Sequence, residues 1–82
     1  MENTAQSLTP VLHHDIHVIV VSAEEASFGV AEFWQGDRLI GITRIEDGEL
    51  ALRIEPSHDD VVLGARALSE ALAEADRLLA LY

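Results

Sequence analysis

An Asp-Gly pair flanked by alternating apolar residues leaves a chain few options, and Asp47-Gly48 is such a pair. A type I′ turn needs positive φ at both central positions, and its twist matches that of two antiparallel strands. Downstream, Leu50, Leu52 and Ile54 alternate with Glu49, Ala51, Arg53 and Glu55, the period of a strand with two unlike faces. Upstream, Arg38 to Ile45 reads as another strand, itself preceded by the tight turn Gln35-Gly36-Asp37, where Gly36 takes positive φ without penalty. Phe28 to Trp34 supplies the strand before that. The β-branched run Val18-Ile19-Val20-Val21 marks the first strand, at Ile16–Ser22. Ser22 to Ser27 reads as a loop.

After Pro56 the period changes. Val61, Ala65, Leu68, Leu72, Ala75, Leu79 and Tyr82 recur at steps of three and four, the apolar stripe of a helix. Arg66, Ser69, Glu70, Glu74 and Arg77 fall on the opposite side. Ser57 is placed to cap the start, with Asp59 and Asp60 at the positive end of the helix dipole. A helix from there to the C-terminus would hold about 22 residues and span roughly 33 Å. The predicted fold is α+β: a four-stranded antiparallel meander (β-β-β-β-α) with one long C-terminal helix packed on one sheet face. Residues 1–12 read as a flexible lead-in, and 13–82 as a single domain.

The two turns also set a register. With Asp47-Gly48 as the loop, Ile45 faces Leu50, Thr43 faces Leu52 and Gly41 faces Ile54. With Gly36-Asp37 as the loop, Trp34 faces Leu39, Glu32 faces Gly41, Val30 faces Thr43 and Phe28 faces Ile45. Opposed residues share a face. One face then collects Phe28, Val30, Trp34, Leu39, Ile45, Leu50, Leu52 and Ile54, and the helix is expected to cover it. Glu32 is the misfit in that set, and a bulge would change the assignment. The other face collects Phe33, Ile40, Ile42 and Ala31, with Arg44 and Arg53 towards the edge. An apolar centre with a charged rim is the pattern of an interaction surface.

Composition narrows the function. Fifteen acidic residues against five basic ones give a formal charge of −10, the reverse of what phosphate binding requires, so nucleic acid is not expected as a partner. There is no cysteine, hence neither disulfide nor thiolate zinc site. No uninterrupted apolar run approaches a membrane span, and no secretory leader pattern opens the chain, so a cytoplasmic location is expected. At 49% apolar residues, the chain carries more apolar material than one small monomer easily hides, which favours a homo-oligomer.

Candidate chemistry is sparse. His13, Asp15 and His17 stand at steps of two, a spacing that suits a metal with N and O ligands, with His58 a more distant contributor. Glu24-Glu25 and Glu46-Asp47 sit in turns, where burial is least able to separate their pKa values for acid–base work. No nucleophile motif or glycine-rich phosphate loop occurs. No catalytic residue and no cofactor are therefore expected. The sequence reads as a small acidic, non-enzymatic interaction or assembly module. Self-association through Phe33, Ile40, Ile42, Ala31, Arg44 and Arg53, most simply as a dimer, is the leading expectation. The alternatives are an acidic inhibitor, immunity- or antitoxin-type protein that binds a basic partner, and a weak metal binder through His13, Asp15 and His17.

Overall fold

The computed structural model describes residues 15–57 and 61–82. Four strands run in the order β1 (Ile16–Ile19), β2 (Glu32–Gln35), β3 (Arg38–Glu46) and β4 (Glu49–Ile54), all antiparallel, each beside its neighbour in sequence. A short helix, α1 (Ala23–Ser27), joins β1 to β2. The C-terminal helix, α2 (Ala65–Leu79), lies on one face of the sheet, closest to β1. The architecture is the expected α+β meander closed by a helix. The first strand stops at Ile19 and the second begins only at Glu32, each shorter than the sequence suggests.

Both turns form where expected. Asp47 and Gly48 take φ of 54° and 81°, the positive pair a type I′ turn demands. Gly36 takes φ of 65°. The β3–β4 register is the anticipated one, with Gly41, Thr43 and Ile45 opposite Ile54, Leu52 and Leu50.

The β2–β3 register is not. Trp34 pairs with Leu39 as expected, but the next pair is Phe33 with Gly41, so Ile40 is an extra residue on β3. This bulge inverts the side-chain phase of β2 relative to the far part of β3. Glu32 pairs with Ile42 instead of Gly41. The face beneath α2 therefore carries Ala31, Phe33 and Ile40, which are the core, each at most 2% exposed. Trp34 and Leu39, expected under the helix, lie on the opposite side.

The connection into β2 explains why Phe28 and Val30 do not extend that strand. Ser22 caps α1, its Oγ accepting from the Glu25 N–H at 3.1 Å, and Glu24 and Glu25 stand in the first turn. At the other end the Gly29 N–H donates to the Ala26 carbonyl and the Val30 N–H to the Glu25 carbonyl, with Gly29 at φ 74°. This is a Schellman ending. It turns the chain at Phe28–Gly29 and leaves Phe28 62% exposed. Thr43 ties the bend to β3. Its fully buried hydroxyl accepts from the Ala31 N–H at 2.9 Å and donates to the Gly29 carbonyl at 2.7 Å.

The helix α2 is 15 residues long, not about 22. Gly64 occupies its N-cap position without a side-chain cap, and Ser57 takes no part in one. Val61, Val62 and Gly64 are weak helix formers, so the periodic pattern runs ahead of the helix itself. Ser57 Oγ instead accepts from Arg38 Nη2. Asp59 and Asp60, read as charges at the helix start, lie outside the described residues, as does the 1–12 lead-in. The buried side of α2 is Ala71 and Ala75, flanked by Leu68 and Leu79. Small side chains let the helix lie close to Phe33 and Ile40. The stripe is thus rotated from the expected one, leaving Leu72 and Tyr82 exposed. Among the described residues, no helix is long and apolar enough to cross a membrane.

Candidate interaction surface

The face of the sheet turned away from α2 follows from the register. Core positions Val18, Phe33, Ile40 and Leu52 fix the parity, so their chain neighbours His17, Trp34, Leu39 and Arg53 point the other way. By cross-strand pairing, Ile19, Glu32, Ile42, Arg44, Glu46, Glu49 and Ala51 join them. Both helices sit on the other side: α2 over the core, and α1 with Ala26 lining a groove shared with Ile45 and Leu79.

The centre of this helix-free face is apolar. Trp34, Leu39, Ile42 and Ala51 are half-buried, and Ile19 is 46% exposed. The rim carries both signs of charge. Arg53 Nη2 donates to Glu46 Oε2 at 3.1 Å along the face. Arg44 and Glu49 stand beside them. Glu32, the misfit in the regular register, belongs to this face, and its Oε1 accepts from the Trp34 indole N–H at 2.9 Å. A carboxylate that disturbs one face pattern is satisfied in the other.

Of the six anticipated interface residues, the structure divides the set. Phe33, Ile40 and Ala31 are in the core under α2, because the Ile40 bulge exchanges the faces of β2, and they present nothing to a partner. Ile42, Arg44 and Arg53 lie together on the helix-free face. Trp34, Leu39 and Ile19 complete that surface and were missed. The signal that could have found them was Glu32 itself, which reads correctly only if β2 is shifted in phase.

A second feature is an open groove of about 460 Å³ between β1 and α2, with Asp15, Glu70 and Glu74 along it and His17, whose side chain points to the other face, at its edge. Arg77 clamps Glu74 through two hydrogen bonds, Nε to Oε1 at 3.0 Å and Nη2 to Oε2 at 2.6 Å. Those bonds, with the attraction of the guanidinium, hold the Glu74 carboxyl below its ordinary range. Among the described residues, no three His, Asp or Glu side chains are grouped to hold a metal ion. His13, His14 and His58 lie outside the described residues.

No protein-family model, no curated protein and no solved structure matches the chain.

Proposed function

We propose that this protein is a non-enzymatic interaction module that self-associates through the helix-free face of its sheet. One observation carries the reading: Trp34, Leu39 and Ile42 form a contiguous apolar centre with no described helix over it. A two-fold contact brings the same patch against itself, so it must be complementary to itself. The rim meets that condition, since Arg44 and Arg53 stand among Glu32, Glu46 and Glu49. Two of the chain's five basic residues are thus gathered on one face of a molecule of formal charge −10, where they offset local repulsion. A homodimer is the smallest assembly that buries the patch. A cysteine-free acidic chain suits a cytoplasmic setting.

The test is solution mass by light scattering over a concentration series, on the native chain, Ile42→Asp and Ile19→Asp. The native mass is expected to exceed that of one chain. Either substitution should lower it while circular dichroism stays native. Ile19 is the safer probe of the two because it is nearly half exposed. A native chain that remains a monomer at high concentration refutes the proposal.

A second reading is favoured by the β1–α2 groove, where Asp15, Glu70 and Glu74 offer a basic partner protein an acidic channel. The two readings respond oppositely to salt. Screening weakens capture of a basic partner, but it relieves the mutual repulsion of two chains of charge −10.

A further inference from the structure

The sheet has two edges, and they are not equivalent. β1 has four residues and lies beneath α2. β4 has six, pairs with β3 without irregularity, and has no described strand on its outer side. Edge strands are normally blunted by proline, by a bulge, by brevity or by charge. The charges of β4, Glu49 and Arg53, are of opposite sign and can pair across a two-fold contact. Of the other three devices the strand is free, and Pro56 comes only after it ends.

The direction of its backbone groups can be worked out. A two-residue loop makes Glu46 and Glu49 a hydrogen-bonded pair, and bonded pairs then recur at every second residue. Arg44 with Ala51 and Ile42 with Arg53 are therefore bonded. The Glu55 N–H, which donates to the Ile40 carbonyl at 2.9 Å, continues the phase. Leu50, Leu52 and Ile54 accordingly turn their N–H and C=O groups outward.

We propose that this edge pairs antiparallel with β4 of a second copy, centred on Ala51. In that register Leu50 lies opposite Leu52 of the second copy and exchanges both backbone hydrogen bonds with it. Glu49 lies opposite Arg53 of the second copy, and symmetry repeats the pair. Moving the centre to Leu52 sets Glu49 against Glu55, a like-charge pair, so the Ala51 register is favoured. The Arg53 side chain is 72% exposed, and its Nη2 bond to Glu46 leaves further guanidinium donors to serve the pair. The segment that best complements the edge is β4 itself, which is why the occupant is a second copy.

This contact stands apart from the face proposed above. Its two-fold axis runs through the sheet, leaves both helix-free faces on one side and keeps them open. If both contacts form about axes that intersect at right angles, they close four chains.

Two measurements test it. The first is amide hydrogen exchange of the native chain at low and high concentration. Leu50 and Leu52 are expected to slow by about tenfold or more as the edge is occupied. Unchanged exchange at both residues overturns the proposal, whatever the solution mass. The second is a reciprocal charge exchange. Arg53→Glu and Glu49→Arg should each weaken the edge contact by about tenfold, and the double variant should restore it. Failure of the double variant to restore it overturns the register. If Ile19→Asp lowers the mass while Leu50 and Leu52 exchange freely, the face survives and the edge falls. Protected amides in a chain whose mass ignores Ile19→Asp give the converse.

Discussion

Replacing Thr43 by Val tests the account of the bend most directly. The two side chains have nearly the same shape, so packing is preserved and only the hydroxyl is lost. That hydroxyl accepts from the Ala31 N–H at 2.9 Å and donates to the Gly29 carbonyl at 2.7 Å. Both partners are in buried residues, so neither recovers water when the hydroxyl goes. A net hydrogen bond contributes about 0.5–1.5 kcal/mol, and a buried group left unpaired costs about 1–3 kcal/mol. The Gly29 carbonyl loses its donor and the Ala31 N–H its acceptor, whereas the Ala31 carbonyl still accepts from the Thr43 backbone N–H at 2.8 Å. Two such groups sum to about 2–6 kcal/mol, against a total stability of roughly 4–12 kcal/mol for a chain of this length. With a urea m-value near 1 kcal/mol/M, the unfolding midpoint should fall by about 2 M or more. Thr43→Ser keeps the hydroxyl and loses one methyl, for about 1 kcal/mol. The decisive result is the order: Ser above Val. If Val matches the native chain, or is more stable than Ser, the hydroxyl does not hold the bend and the reasoning fails.

Gly29 and Gly48 both take positive φ, but only Gly29 is crowded: a Cβ there would sit 2.6 Å from Ile45 Cγ1, whereas at Gly48 it would meet nothing. Gly48→Ala should cost about 1–2 kcal/mol from backbone strain alone, and Gly29→Ala clearly more, as read by thermal or urea unfolding. Glu74 has its pKa lowered in the folded chain, first by its hydrogen bonds to Arg77, so the pair's contribution is present above the ordinary carboxylate range and is lost as pH falls through the lowered midpoint. A carboxyl-carbon NMR titration should show that midpoint rise in Arg77→Ala, and an unmoved midpoint would disprove the clamp.

The legible parts of this fold were those set by local chemistry. Asp47-Gly48 fixed a turn, the turn fixed the β3–β4 pairing, and the alternation of β4 followed. The five-residue α1 was also written locally, in Ser22 with Glu25 three residues on and Gly29 beyond, but its brevity hid it behind a loop reading. The face assignment failed at one residue. Periodicity supposes that strands pair without interruption, and Ile40 breaks that supposition through packing that no local pattern reports. Its burial beside Phe33 in the core is a tertiary outcome. The helix start failed for a different reason. Val61 keeps the apolar spacing of a helix with Ala65 and Leu68, yet β-branched residues and Gly64 do not sustain one. Of the six residues expected on one face, Ile42, Arg44 and Arg53 do lie together on the helix-free side, whereas Ala31, Phe33 and Ile40 lie in the core.

Ile40 gives the sheet a reading frame. On either side of it the alternation of inward and outward residues is regular, but the two stretches are read in opposite phase. Losing or gaining one residue there would exchange core and surface across β1 and β2, while leaving composition and both hairpin turns untouched. A change of two residues would not. Drift in a chain of this design is thereby constrained in length more tightly than in identity. The segment between Gly36 and Gly41 can trade one apolar residue for another, but it tolerates length changes only in even steps, a pattern that a set of diverged sequences would display or contradict.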